Sequence, residues 1–148
     1  TTAPAAVTLA NRTESRAVDL AVEFRGKFSG VDINTAPLEK EALRPLMRRA
    51  DIVVNATSLG MMGRGGLDLP MEELPQHAVV SDIVYRPLET DMIKKAAARG
   101  LRTHSGLGML VRQGAITFEL WTGMKAPLDV MRKAVMEELD GNPQKLKK

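Results

Sequence analysis

Asn11, Arg12, Thr13 and Arg16 bring charge, hydroxyl and spacing together in one short stretch. Two guanidinium groups and a hydroxyl are donors that suit a phosphate, because Arg presents paired N–H groups to its oxygens. A helix starting just after them adds the unbonded N–H groups of its first turn, which also attract an anion. Thr13 can equally be a plain N-cap whose hydroxyl accepts one of those N–H groups, with both Arg side chains solvated. Spacing alone supports the two readings equally.

Three further segments combine small, polar or glycine residues. Asn55-Ala56-Thr57-Ser58 is followed by Gly60 and Gly63. Small residues let a ligand approach the backbone, and the glycines permit a tight turn. Tyr85, the single Tyr, sits in Tyr85-Arg86-Pro87-Leu88-Glu89-Thr90 and reads as a rim aromatic. Residues 105–115 form a glycine-bearing turn entering a helix, where Gln113 offers a donor and an acceptor to a polyol. A capped helix start explains that segment as well. Arg64-Gly65-Gly66 reads as a surface loop, since it lacks the following helix and Lys of a phosphate-binding P-loop. His104 reads as structural, and the Met residues as mainly core filler.

The elements that position these segments alternate. Residues 7–10, 31–33, 51–56, 78–84 and 101–104 are short apolar or β-branched runs, expected as strands. The run at 51–56 does not alternate, which predicts a strand covered on both faces. Ala17, Leu20, Ala21, Phe24 and Phe28 recur at helical spacing, with Gly26 or Gly30 ending the helix. Residues 39–50 are helical in pattern but carry Pro45, so a break and restart are expected there. Residues 90–99 form a helix stopped by Gly100, and two more cover about 109–122 and 128–139, Pro127 starting the last. This alternation predicts an α/β fold, a mainly parallel sheet with helices on both faces. Ligands in such sheets sit beyond the carboxyl ends of the strands, where all four segments fall. In a dinucleotide-binding sheet, an acidic residue there usually holds the adenine ribose. Asn11 and its two Arg neighbours reverse that charge, as a 2′-phosphate would require.

Composition narrows the classes. The chain has 148 residues and no Cys, which excludes disulfide scaffolds, thiol catalysis and Cys-based metal centres. With only His77 and His104, no metal site is expected. The balance of 21 Lys+Arg against 18 Asp+Glu is mildly basic, and part of the excess lies in Lys145, Lys147 and Lys148. Aromatics at 3% leave little for base stacking, so nucleic acid is not the expected partner. No run is long enough to span a membrane, and residues 1–10 do not resemble a signal peptide. The sequons at Asn11 and Asn55 then carry no glycosylation reading. A cytoplasmic setting is expected.

Together these residues resemble the cofactor-binding half of the shikimate dehydrogenase family. The resemblance rests on Asn11-Arg12-Thr13 with Arg16, on residues 51–58 ending in Asn-Ala-Thr-Ser, and on residues 82–90 with Tyr-x-Pro-Leu-x-Thr. Its most specific part is Gly106-Leu107-Gly108-Met109-Leu110-Val111 with Gln113-Gly114-Ala115 and, further on, Trp121-Thr122-Gly123. The resemblance implies a Rossmann-like fold and NADP-dependent, reversible reduction of 3-dehydroshikimate to shikimate, a step of aromatic amino-acid biosynthesis. It implies that Asn11, Arg12, Thr13 and Arg16 clamp the adenosine 2′-phosphate, and that Thr57 lies by the ribose and pyrophosphate. Ile83, Gly106 and Met109 would lie by the nicotinamide, and Tyr85 and Gln113 would face the substrate.

The same resemblance marks what residues 1–148 do not contain. The family's first strand and its Gly-rich turn should precede Val7, and its substrate domain, with the Lys and Asp of proton transfer, should lie further upstream. The chain is therefore expected to be a partial NADP-binding domain, inactive by itself. The strands of Val7 and Ile52 should flank a gap, to be closed by rearrangement or by self-association. A non-catalytic nucleotide-binding or interaction module on the same half-fold, or part of a quinate/shikimate dehydrogenase, are the alternatives.

Overall fold

Short β-branched runs become strands and the helical repeats become helices, in strict alternation over most of the chain. The computed structural model describes residues 3–63 and 65–139. In order they form β1 (Ala6–Asn11), α1 (Glu14–Lys27), β2 (Asp32–Pro37), α2 (Lys40–Met47) and β3 (Ile52–Asn55). Then come β4 (Val79–Asp82), α3 (Asp91–Ala98), β5 (Arg102–His104), α4 (Leu107–Thr122) and α5 (Leu128–Leu139). Two short 3-10 turns, Met61–Gly63 and Met71–Glu73, lie between β3 and β4. Arg64 and the lysine tail fall outside the described residues.

All pairings are parallel, as the alternation predicts. β1 pairs with β2 from Ala6↔Asp32 to Asn11↔Pro37. β3 pairs with β4 from Ile52↔Val79 to Asn55↔Asp82, and β4 with β5 from Val79↔Arg102 to Ser81↔His104. The strands form two sheets, β1-β2 and β3-β4-β5, with no ladder between them. Each sheet thus keeps one unpaired edge on the side of the expected gap, and no rearrangement closes it.

Side chains hold the two sheets to one core. Ala36 of β2, Leu43 and Met47 of α2, Val80 of β4, and Met92, Ile93 and Ala96 of α3 belong to a single buried cluster, with Ala10 and Val53 packed against it. Truncating Val80 to Ala there removes about 1.5–3 kcal/mol of burial and packing. α1 docks through buried Ala17 and Ala21, and the Arg25 guanidinium donates to the Ile33 carbonyl at 2.9 and 2.6 Å. At the other end of the core, Arg99 donates to the carbonyls of Met71 and Leu74 and ties α3 to the second 3-10 turn.

Several expectations are corrected. β3 is not covered on both faces: Ile52 is 63% exposed and Val54 55%, while Val53 and Asn55 turn inward. Its β-branched run hides an alternation, and among the described residues one face stays open. α2 runs through Pro45 without a restart. Leu43 and Met47 are buried on one side of it, and Arg44 and Arg48 are held by Glu73 on the other, so contacts outside the helix offset the lost N–H bond. Leu20 and Phe28 are exposed; the Phe28 ring lies edge-on to Phe24 at 5.6 Å. Met47, Met71 and Met92 fill the core, but Met61, Met62, Met109, Met124 and Met136 are exposed.

Candidate functional site

The carboxyl ends of β3, β4 and β5 are drawn together by hydrogen bonds. The Ile83 N–H donates to the Asn55 carbonyl at 3.1 Å and carries the β3–β4 ladder one step past the strands. The Met62 N–H donates to the Arg86 carbonyl at 2.7 Å, joining the turn after β3 to the loop after β4. That turn is tight, with Gly60 and Gly63 at φ +92° and +71°, as their type predicts. The Gly106 N–H donates to the Val84 carbonyl at 3.3 Å and sets the start of α4 on the same loop.

Gly106 has a stricter reason to be glycine. A Cβ built there would stand 2.1 Å from the Ile83 carbonyl oxygen and 2.5 Å from its carbon, inside any real contact. Ile83 and Gly106, 23 positions apart in sequence, therefore meet, and Tyr85 and Met109 follow them two and three residues further along the chain. Ile83 is half-buried, Tyr85 and Met109 are exposed, and Gln113 stands exposed two turns along α4. Gln113 also borders a cleft of about 550 Å³ between α4 and α5, with Gly114, Thr117, Phe118, Trp121 and Met131. The cleft is apolar apart from Gln113 and Thr117.

Beneath this surface lies a buried polar chain. Asn55, Asp82 and Thr90 are 2%, 1% and 2% exposed. The Asp82 carboxylate accepts from the Asn55 amide at 3.0 Å, the Val84 N–H at 2.9 Å and the Thr90 hydroxyl at 2.7 Å. The Asn55 side-chain oxygen Oδ1 accepts from the Thr57 N–H and hydroxyl at 3.0 and 2.7 Å. Thr57 is thereby held at the rim of the turn after β3. Burial also disposes of the Asn55 sequon, since its side chain is fully engaged.

Asn11, Arg12, Thr13 and Arg16 lie apart from this cluster, at the end of β1 in the other sheet. Asn11 accepts the Thr13 N–H at 2.9 Å and shapes the turn into α1. Thr13 is the N-cap by position, but its hydroxyl makes no capping bond, contrary to the plain cap reading. Arg12 and Arg16 are exposed and enter no ion pair among the described residues. The set thus offers an uncommitted hydroxyl, two uncommitted guanidinium groups and a helix start, tempered by Glu14 in the first turn. These donors suit a phosphate group.

The strongest charge cluster lies elsewhere. Glu73 accepts from Arg48 at 2.7 Å and Arg44 at 2.6 Å, and Arg44 also meets Glu41 and Glu72. The Arg48 and Arg44 hydrogen bonds hold the Glu73 carboxyl below its ordinary range. This network pins α2 to the Met71–Glu73 turn. His104 is exposed, its Nδ1 lying 3.3 Å from the Ser81 hydroxyl. No helix among the described residues is long and apolar enough to cross a membrane.

Sequence reasoning missed Asp82 and Thr90, and gave Asn55 no role beyond its loop. A signal was present: Asn55 and Asp82 are the polar residues near the ends of the apolar runs 51–56 and 78–84, and Thr90 begins the helical stretch 90–99. Only the register Asn55↔Asp82 shows that the two meet.

Comparison with known proteins joins these observations. The family model of the shikimate 5'-dehydrogenase C-terminal domain matches residues 106–136, the start of α4 through most of α5. A shikimate dehydrogenase (NADP(+)) of Methanosarcina acetivorans is 45% identical over 136 residues, covering 91% of this chain and 48% of the relative. Among solved structures, shikimate 5-dehydrogenase of Thermus thermophilus, in complex with NADP(H) and shikimate, superposes with a TM-score of 0.71 at 38% identity, over 88% of this chain and 45% of that one. Quinate dehydrogenase of Corynebacterium glutamicum, in complex with NAD, gives 0.77 at 29% identity, over 90% and 46%. The chain spans about half the length of the curated relatives it matches. Over that half, the chain is similar to shikimate dehydrogenases in sequence and in its parallel α/β architecture, and residues 106–136 match the C-terminal domain model.

Proposed function

We propose that residues 1–148 are a partial NADP-binding domain, the cofactor-holding part of an enzyme that interconverts 3-dehydroshikimate and shikimate. The observation that carries the reading is the uncommitted donor set of Thr13, Arg12 and Arg16 at the start of α1, with no ion-pair partner among the described residues. Arg12 and Arg16 meet the 2′-phosphate, Asn11 shapes the turn, and Thr57 flanks the ribose and pyrophosphate. Ile83, Gly106 and Met109 receive the nicotinamide, which supplies or accepts the hydride. Tyr85 and Gln113 face the substrate polyol.

Turnover needs groups outside these residues. Hydride transfer to a carbonyl is helped about 10²–10⁴-fold by a positioned acid or base. The buried carboxylate nearest to the nicotinamide side, Asp82, already accepts three hydrogen bonds. The chain alone therefore binds NADPH and turns over nothing. A cytoplasmic setting goes with this reading, and the unpaired edges of β1 and β3 are places for self-association. Preference for quinate is the second reading, favoured by the likeness to an NAD-bound quinate dehydrogenase, but the basic pair Arg12 and Arg16 favours NADP.

Titration of the chain with NADPH and NADH, followed by nucleotide fluorescence, tests the proposal. NADPH binding with NADH at least about tenfold weaker supports it. Equal indifference to both would leave a non-catalytic module on the same fold.

A further inference from the structure

Asp82 is a costly residue to bury. Its carboxylate has no cationic partner among the described residues, and an apolar side chain would fill the same space without a desolvation penalty. It is instead satisfied entirely by neutral donors, each from a different segment: Asn55 ends β3, Val84 follows β4, and Thr90 caps α3. The chain of bonds continues at both ends. The Asn55 amide also donates to the Leu59 carbonyl at 3.1 Å, and the Thr57 hydroxyl accepts the Leu59 N–H at 3.1 Å. The Thr90 hydroxyl accepts the Ile93 N–H at 3.4 Å. No buried side-chain N or O among the described residues lacks a partner.

The Val84 N–H, donated to the Asp82 carboxylate, fixes the Ile83–Val84 peptide just before Tyr85. The bonds through Asn55 fix Thr57. We infer that Asn55, Asp82 and Thr90 are positioning residues that lock the turn carrying Thr57 to the strand end carrying Ile83 and Tyr85, and so set the nicotinamide side of the site. The inference rests on the nucleotide-binding reading and deepens it. The three residues touch neither cofactor nor substrate; they act through Thr57, Ile83 and Tyr85. The adenosine side, built on Arg12 and Arg16 in the other sheet, lies outside the network.

That separation supplies the test. Thr90→Val, Thr90→Ser and Asp82→Asn are made in the 148-residue chain. Each is titrated with NADPH and with adenosine 2′,5′-bisphosphate, which carries the 2′-phosphate but no nicotinamide. Backbone amide exchange is read at Thr57, Val84 and Ile93. Thr90→Val should weaken NADPH about tenfold, weaken the bisphosphate much less, and speed exchange at both Val84 and Thr57, three links away. Thr90→Ser should restore all three. Should Thr90→Val fail to fold, Asp82→Asn carries the same comparison. Equal weakening of both ligands, or faster exchange confined to Ile93 and the start of α3, would overturn the inference. Failure of the unaltered chain to bind either ligand would strike the nucleotide reading alone. The exchange pattern then decides whether the network couples the two loops.

Discussion

Replacing Gly106 by Ala adds one methyl group and should be among the most damaging small changes available. The new Cβ would lie 2.1 Å from the Ile83 oxygen, 2.5 Å from the Ile83 carbon and 2.9 Å from the Val84 carbon. All three are backbone atoms of the segment after β4, and Asp82 already holds the Val84 N–H at 2.9 Å. Relief needs a displacement of about 1 Å at the start of α4, in a region packed at interior density. It also breaks the bond from the Gly106 N–H to the Val84 carbonyl. Overpacking costs about 1–3 kcal/mol and the lost bond about 1 kcal/mol, giving a loss of about 2–4 kcal/mol. At this chain length that is a fall in Tm of about 6–15 °C. Gly114→Ala, inside α4, is the matched control, because its Cβ would meet only the flexible Met131 Cε of α5 at 3.2 Å. Helix propensity there gains about 0.5–1 kcal/mol, so the control should be neutral or mildly stabilising. Urea unfolding of the three proteins decides the matter. A Gly106→Ala midpoint within error of the unaltered chain, or equal losses for both variants, would refute the close-approach argument.

Other consequences can be checked in the same way. Pro45→Ala should stabilise by about 1–2 kcal/mol, since Ala restores an N–H to α2 and removes a ring clash, partly offset by a freer unfolded chain; an unchanged urea midpoint would contradict this. The Glu73 carboxyl titrates lower in the folded chain than in the unfolded one, because Arg48 and Arg44 hold its charged form. Its contribution is therefore present above the ordinary carboxylate range and is lost as pH falls through the folded value. Glu73→Gln should be less stable than the unaltered chain at pH 7 and equal to it in acid, with the gap at pH 7 shrinking in high salt. A gap independent of pH would remove the ionic explanation.

The fold was legible where pattern and period agree. The strands at Val7 and Val79, the helix over residues 90–99 stopped by Gly100, and the helix after Pro127 all follow from local residues. Pro45 misled because a local rule was outweighed by distant contacts, from Glu73 and the core. Ile52 and Val54 misled because β-branched residues signal a strand without saying what lies over it. In the site, glycines and small polar residues marked the strand ends. The polar chain through Asn55, Asp82 and Thr90 was not legible, since its members are brought together by strand register, which no local pattern encodes. Physics alone found donors for a phosphate at Arg12 and Arg16, and no chemistry in these residues singled out shikimate.

The central claim is that Arg12 and Arg16 select NADP through its 2′-phosphate. The most direct measurement is the ratio of NADH to NADPH dissociation constants, in the unaltered chain and in the Arg12→Ala/Arg16→Ala double variant. Each charge-assisted bond lost contributes about 1.5–3 kcal/mol when well made, and less at an exposed site. The ratio should be at least about ten in the unaltered chain and fall to about one in the variant, with NADH affinity unchanged. A ratio near one before any substitution, or one that survives the loss of both Arg residues, would contradict the account.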